Sequence, residues 1–150
     1  MTITVIDSSA ILRLCFNEGD LSQVNAAMGD SPAISVLATI EVPCAIAARF
    51  HRRQISADER DQLFRVADEV LSVMTQIDLT EDVRREAIQI SERFLVRALD
   101  AIHIATAVVL AGHGLGDRVR FCTADVRQAE AATALFTKDQ VDLVPPSRHG

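Results

Sequence analysis

The chain has 150 residues, of which 49% are hydrophobic and 24% charged, and its formal net charge is −6. This composition is typical of a globular protein, and the length predicts one domain over residues 1–150. The acidic balance argues against a protein that binds nucleic acid through a broadly basic surface, although the distribution of charge matters more than its sum.

The three cysteines, Cys15, Cys44 and Cys122, are isolated in apolar segments. Their spacing excludes the usual zinc motifs and predicts buried free thiols in a reducing compartment. No basic segment precedes the first apolar run, as it would in a secretory signal. The longest apolar run, residues 104–111, is shorter than the ~18 residues of a membrane span. We therefore expect a cytoplasmic protein.

Short β-branched runs alternate with longer segments of helical spacing along the whole chain. In chain order, the predicted elements are a strand at 3–6, helices at 9–16 and 21–28, a strand at 33–36, helices at 37–53 and 56–74, a strand at 76–79, helices at 80–94 and 98–111, a strand at 119–122, a helix at 125–135 and a strand at 141–144. Such alternation is typical of a parallel sheet with helices on both faces.

The predicted fold class is therefore α/β, a three-layer α/β/α sandwich around a central, mainly parallel sheet of four to five short strands. In sheets of this kind, ligands bind at the carboxyl ends of the strands, where the strand order reverses. Residues that directly follow the predicted strands are accordingly the first candidates for a functional site.

Asp7 directly follows the first strand, in Val5-Ile6-Asp7-Ser8-Ser9. It could cap the next helix, but Ser8 or Ser9 could cap that helix equally well. Asp100 lies inside the most apolar helix, where an unpaired charge is costly. Asp100, His103 and Thr106 are spaced by three and form one polar strip on this helix. An ion pair with Arg97 would also explain why an acid is found there.

Glu41 and Asp125 occupy similar positions further along the chain. Glu41 falls early in the helix after the second strand, where the helix dipole alone could favour an acid. Asp125 follows the fourth strand and also fits a helix cap. Taken together, Asp7, Glu41, Asp100 and Asp125 would meet at one edge of the sheet.

Four carboxylates in one dry cleft would raise one another's pKa values, and a divalent cation would remove the conflict. Mg²⁺ and Mn²⁺ prefer carboxylate oxygens and water as ligands. Ions held in this way can activate a water molecule and stabilise a phosphoryl transition state. The acidic residues therefore predict hydrolysis of phosphodiester bonds.

Four segments resemble the PIN-domain ribonucleases, and more narrowly the VapC-type toxins of type II toxin–antitoxin systems. The most specific segment is Leu-Asp-Ala-Ile-His-Ile-Ala-Thr-Ala, at residues 99–107, and the opening Asp-Ser-Ser-Ala follows it in specificity. The Glu-Val-Pro sequence at 41–43 and Thr-Ala-Asp at 123–125 complete the similarity. The segments cover nearly the whole chain in the order and spacing of the family.

The resemblance implies a metal-dependent endoribonuclease in which Asp7, Glu41, Asp100 and Asp125 hold Mg²⁺ or Mn²⁺. Ser9 and Thr123 match supporting hydroxyl residues of the family. The last acidic segment departs from the usual Asp-Arg-Arg or Asp-Lys-Lys, and Asp117 competes with Asp125 as the fourth acid.

The resemblance also implies partners. These are an RNA substrate, a small VapB-type antitoxin whose C-terminal segment crosses the cleft, and a second copy of the chain in a homodimer. Arg97, three residues before Asp100, is the candidate RNA contact among the basic residues. The absence of Trp and Tyr argues against an extended stacking platform for bases.

Two alternatives remain open at this stage. A receiver-like signalling domain would accept a phosphoryl group on an Asp and use a lysine near the last strand, a place that Lys138 could fill. A non-catalytic interaction module with the same fold would bind no metal. Phosphorylation by a small phosphodonor would support the first, and failure to bind Mn²⁺ would support the second.

Overall fold

The computed structural model of the chain describes residues 1–16 and 21–144. Its sheet has five strands in the order β3-β2-β1-β4-β5, and every neighbouring pair is parallel. The strands are β1 (Ile3–Ile6), β2 (Pro32–Ser35), β3 (Thr75–Ile77), β4 (Val119–Thr123) and β5 (Val141–Leu143). The predicted α/β class with a parallel sheet is confirmed.

Seven α-helices connect and cover the strands of the described part of the chain. They are α1 (Ser8–Cys15), α2 (Leu21–Met28), α3 (Ala38–His51), α4 (Ala57–Ser72), α5 (Glu81–Arg93), α6 (Ala98–Leu110) and α7 (Val126–Leu135). The predicted boundaries differ from these by two residues or fewer. The largest differences follow local caps, since Thr80 caps α5 and leaves residues 78–79 outside β3.

Two hydrophobic cores form because alternate side chains of the central strands point to opposite faces of the sheet. Ile6 and Cys122 face one core, which α1, α3 and α4 complete with residues such as Val42. Val5 and Phe121 face the other core, which is formed with α5, α6 and α7. The layers are therefore helix, sheet and helix, as the sequence predicts.

One prediction about the cysteines is wrong. Cys15 and Cys122 are buried free thiols in the first core, but Cys44 is exposed. Cys44 lies on α3 between Val42 and Ile46, which both face the core, so the helical twist turns its own side chain outward.

The helix α6 is the most buried helix of the second core, with Ala101, Ile104, Ala105 and Ala107 among its buried residues. It continues through a π-helical turn at Ala111–Leu115 and a 3₁₀ turn at Gly116–Arg118. By length and composition alone, the stretch Ala98–Arg118 could cross a membrane. Its packing against the sheet gives a sufficient physical reason for its apolar character.

The strand order reverses between β1 and β4, which pair in the register Ile6 with Cys122. The backbone N–H of Asp7 extends this ladder by donating to the carbonyl of Cys122 at 3.0 Å. Asp7 therefore lies beside Thr123 at the carboxyl ends of the two strands. The topology brings together residues that are more than a hundred positions apart in the sequence.

Candidate active site

Asp7 is fully buried and accepts hydrogen bonds from three groups. The hydroxyl of Ser9 donates to its carboxylate at 2.8 Å, and the hydroxyl of Thr123 donates to Oδ2 at 2.8 Å. The backbone N–H of Ala10 donates to Oδ1 at 3.1 Å, so Asp7 is also the N-cap of α1. Asp7 therefore does cap α1, a role that the sequence left open. It also lies where the strand order of the sheet reverses, between β1 and β4.

Burial raises the pKa of Asp7 because the ionised carboxyl has lost its contact with water. The positive charge of His103 and the hydrogen bonds from Ala10, Thr123 and Ser9 offset this only in part. A buried acid with a raised pKa is the kind of group that a cation would favour in its ionised form.

Glu41 is held by two polar partners from other elements. The hydroxyl of Ser8 donates to Oε1 at 3.0 Å, and Nε2 of His103 is bonded to the same oxygen. Partial burial acts to raise the pKa of Glu41, but the hydrogen bond and charge of His103 and the bond from Ser8 outweigh it and lower the pKa. Glu41 is accordingly ionised at neutral pH.

Asp100 lies at the first turn of α6 with only 13% of its side chain exposed. Nε of Arg97 donates to Oδ2 at 3.1 Å, and Nε2 of Gln128 donates to Oδ1 at 2.9 Å. The pairing with Arg97 that the sequence allowed is present. Gln128 comes from α7, so Asp100 also links two helices.

A continuous series of hydrogen bonds connects three of the four acids. The hydroxyl of Thr123 donates to Asp7 and accepts from the backbone N–H of Asp125 at 3.0 Å. The carboxylate of Asp125 caps α7 by accepting from backbone N–H groups that include that of Gln128, at 3.2 Å. Because the Gln128 side chain donates to Asp100, displacement of one acid is transmitted to the others.

Glu41 joins this group through two basic side chains. His103 bonds Glu41, and its charge lowers the pKa of Asp7. The pKa of Arg97 is raised by its bond to Asp100 and, to a smaller degree, by the charges of Asp125 and Glu41. Arg97 is therefore an internal counter-ion that relieves the repulsion among the acids, and His103 is a hydrogen-bonding partner of Glu41.

This arrangement differs in one respect from the expectation of four carboxylates meeting at a single point. Among residues 1–16 and 21–144, no three His, Cys, Asp or Glu side chains converge closely enough to hold one metal ion. The physical reason is that each acid is oriented by protein donors, and part of the positive charge expected from a cation is supplied by Arg97.

The chemistry of the donor set nevertheless fits a hard divalent cation, because the groups available are carboxylate, hydroxyl and amide oxygens. One buried acceptor has no partner within the described residues: Oε1 of Gln128, beside Asp100. The ring nitrogen Nδ1 of His103 is also buried without a hydrogen-bond partner among these residues. Binding of an ion would require Asp100 to give up its contact with Arg97, or Glu41 its contact with His103, in exchange for the ion.

A groove of about 600 Å³ opens beside these acids. Asp100 and Asp125 line it together with Arg97 and Arg127, and Leu95, Val96 and Val126 form its apolar walls. The acids thus border a recess that is large enough to admit a small ligand.

The remaining candidates of the sequence are placed as follows. Ser9 and Thr123 both donate to Asp7, and their hydroxyl oxygens are 3.3 Å apart. Asp117 and Lys138 lie in short turns that lead into β4 and β5, at the amino ends of these strands. Since the strands are parallel, both residues are at the edge of the sheet opposite Asp7, which disfavours Asp117 as the fourth acid and a receiver-like role for Lys138.

Sequence reasoning gave no partner to His103, Ser8 or Gln128. The polar strip on α6 was a usable signal for His103, but Thr106 on the same strip donates to the carbonyl of Ile102 and takes no part in the site. Ser8 fits a cap of α1 and Gln128 fits a cap of α7 together with Asp125, but these local patterns do not indicate the contacts of Ser8 with Glu41 and of Gln128 with Asp100. Only the tertiary fold shows that they contact the acids.

Solved structures share this fold at low sequence identity. A VapBC-family toxin–antitoxin protein, VapBC-5 of Mycobacterium tuberculosis, is 19% identical with a TM-score of 0.62, covering 97% of this chain and 99% of its own. FitAcB of Neisseria gonorrhoeae is 16% identical with a TM-score of 0.64, covering 93% and 96%. A toxin–antitoxin complex from Klebsiella pneumoniae is 20% identical with a TM-score of 0.57, covering 83% and 88%.

No curated protein sequence matches the chain significantly. The family model described as PIN domain matches residues 4–140, which include all four acids, Arg97, His103 and every strand except the first residue of β1 and the whole of β5. Fold, strand order and the match over most of the length agree, and the chain belongs to the PIN domain family.

Proposed function

We propose that this protein is a metal-dependent endoribonuclease that hydrolyses RNA phosphodiester bonds and acts as the toxin of a toxin–antitoxin pair. The observation that carries the proposal is the group formed by Asp7, Glu41, Asp100 and Asp125 around Arg97 and His103, at the carboxyl edge of a PIN-domain sheet. PIN domains are generally nucleases, and this group supplies the acidic side chains that such chemistry needs.

Mg²⁺ or Mn²⁺ would be held by Asp7, Asp100 and Asp125 together with Glu41, and it would supply an activated water molecule and neutralise charge on the phosphate. The residues of this chain orient that set. Ser9 and Thr123 fix the carboxylate of Asp7, and Gln128 fixes that of Asp100.

Arg97 has a separate role in this proposal. Its side chain is 83% exposed and reaches Asp100 from the rim of the groove. Where a cation holds Asp100, the guanidinium of Arg97 would be available to bind a phosphate oxygen of the RNA with its planar fork. Hydrolysis then leaves a 5′-phosphate and a 3′-hydroxyl.

The proposed biological partners follow from the named neighbours. The structures from Klebsiella pneumoniae and Mycobacterium tuberculosis are described as toxin–antitoxin systems. We infer for this chain a cytoplasmic homodimer that a small VapB-type antitoxin inhibits. Co-purification of the chain with the product of an adjacent short gene, and loss of toxicity on co-expression, would test this part.

The activity is tested by cleavage of total RNA with Mg²⁺, with Mn²⁺ and with EDTA. Asp7→Asn and Asp100→Asn should each abolish cleavage, while Asp68→Asn, an exposed acid on α4, should leave it unchanged. Circular dichroism and thermal melting establish that each variant is folded. Full activity of both site variants, or cleavage that persists in EDTA, would refute the proposal.

A further inference from the structure

The groove beside Asp100 and Asp125 has an exposed apolar side that the hydrolysis of a phosphodiester bond does not itself require. Leu95 is 89% exposed and Val126 is 57% exposed, and both line the groove together with Val96. Leu95 lies in the short connection between α5 and α6, and Val126 is the first residue of α7. Two different segments thus present large apolar side chains to solvent at the rim of the acidic site.

We propose that this groove binds one unpaired nucleotide of the RNA, adjacent to the phosphate that is cleaved. Leu95 and Val126 contact the faces of its base, and Arg97 and Arg127 bind the flanking phosphates. The inference rests on the proposed nuclease function and adds to it the part of the substrate that the protein contacts.

The position of the groove supports a nucleotide as its occupant. Asp100 and Asp125 belong both to the acidic group and to the wall of the groove. A phosphate that reaches these acids therefore has its neighbouring nucleotide at the mouth of the groove. The volume of about 600 Å³ is within the range of roughly 300–1,000 Å³ that small-molecule sites occupy.

The distribution of charge also matches a nucleotide. Arg97 and Arg127 line the groove together with Leu95, Val96 and Val126, so positive charge and apolar surface occur in the same recess. RNA has this combination when a base is unstacked, because its planar face is apolar and its backbone is anionic. A base within a duplex is not accessible in this way, so the substrate is single-stranded at this position.

No aromatic side chain of the described residues lines the groove, so a base bound there is contacted by aliphatic side chains. Aliphatic side chains bury base surface without a defined stacking geometry, and the gain increases with the area covered. A purine offers more surface than a pyrimidine. We therefore expect a moderate preference for a purine at this position.

Binding of short fluorescent single-stranded RNAs, measured by anisotropy with Ca²⁺ in place of Mg²⁺, tests the inference. The probes are a purine-containing oligonucleotide and the same oligonucleotide with abasic sites. Gel analysis of each sample establishes that the RNA is intact. Leu95→Ser and Val126→Ser should each weaken binding of the purine probe about 3- to 10-fold, through lost apolar contact.

Two further variants make this test specific. Val73→Ser removes an equally exposed apolar side chain at the end of α4, and it should leave binding of both probes unchanged. Leu95→Phe enlarges the apolar face and should tighten binding of the purine probe but not of the abasic probe. Thermal melting of each variant verifies that exposed substitutions leave the fold intact.

The outcomes separate this inference from the nuclease proposal. If wild-type protein cleaves RNA but Leu95→Ser and Val126→Ser bind both probes as the wild type does, the nucleotide site is wrong and the nuclease stands. If these variants no longer co-purify with the product of the adjacent short gene but bind both RNA probes as the wild type does, the groove is a protein-binding surface and the inference is overturned. Base-dependent binding without any cleavage would support the site and refute the nuclease.

Discussion

Nε2 of His103 on the buried face of α6 is bonded to Oε1 of Glu41 on α3, across the carboxyl edge of β1. The two residues are 62 positions apart, and they belong to helices on opposite faces of the sheet. This contact joins the two helical layers at the candidate active site. It also holds one of the acids in a defined orientation before any ligand is bound.

His103→Leu should raise the pKa of Glu41, because burial acts to raise it and the imidazole supplies the largest opposing contribution. The carboxyl carbon of Glu41, followed by ¹³C NMR through an acid titration, measures this directly. Ser8→Ala should raise the pKa by a smaller amount, since it removes only one hydrogen bond. An unchanged pKa in His103→Leu would show that the contact does not orient the acid.

The same pair sets the acid stability of the fold. The folded pKa of Glu41 lies below its unfolded value of 4.5, so the stabilisation is complete above about that pH and is lost as the pH falls through the folded pKa. The free energy of unfolding, measured in urea at a series of pH values, should therefore fall more steeply with decreasing pH in the acid range for the wild-type protein than for His103→Leu.

Asp7→Asn should increase the free energy of unfolding at neutral pH. Burial raises the pKa of Asp7, so the stability associated with this carboxyl is complete below its unfolded value of 3.8 and is lost as the pH rises through the folded pKa. Calorimetric melting temperatures of the two proteins should differ most at neutral pH and approach each other in acid. A variant that is less stable at every pH would mean that the hydrogen bonds from Ser9 and Thr123 outweigh burial.

Arg97→Gln should change the free energy of unfolding by less than about 1 kcal/mol, because an ion pair with an exposed partner contributes little. It should nevertheless weaken RNA binding and reduce the salt dependence of binding by the equivalent of about one phosphate contact. Arg84→Gln is the matched control, since Arg84 also pairs with an acid three residues away, Glu81, and both of these side chains are exposed. Equal effects of the two variants on RNA binding would assign the loss to net charge alone.

Only one of the three thiols should react with a thiol reagent in the native protein. Cys44 is exposed, whereas burial raises the pKa of Cys15 to about 11 and that of Cys122 to about 12. Absorbance during labelling should show that one thiol per chain reacts rapidly in the native protein. The other two thiols should react only after the protein is unfolded. Three equivalents at a single rate would mean that the first core opens rapidly.

The elements of the fold were predictable because their signals are local. Ser56 and Glu59 form the capping box at the start of α4, as their spacing predicts. Asp125 caps α7, and β-branched runs mark the central strands. Each of these features depends on residues within one or two turns of chain, which is the range over which sequence patterns are informative.

The acids could be singled out from the sequence, but their surroundings could not. Asp7 was predicted from its place after β1, yet its contact with Thr123 joins residues 116 positions apart. His103 was noted on the same strip as Asp100, but nothing local indicates that it contacts Glu41. Partners at such separations depend on strand order and helix rotation, and those are properties of the whole fold.

The pairing of β1 with β4 has a consequence for synthesis of the chain. The first strand leaves the ribosome early, but the strand that completes its other side arrives only after residue 119. Until then Asp7 has no Thr123, and Asp100 has no Gln128. A chain that has not yet reached residue 128 therefore lacks the contacts that orient Asp7 and Asp100, and the acidic group can assemble only after both halves of the sheet have been synthesised.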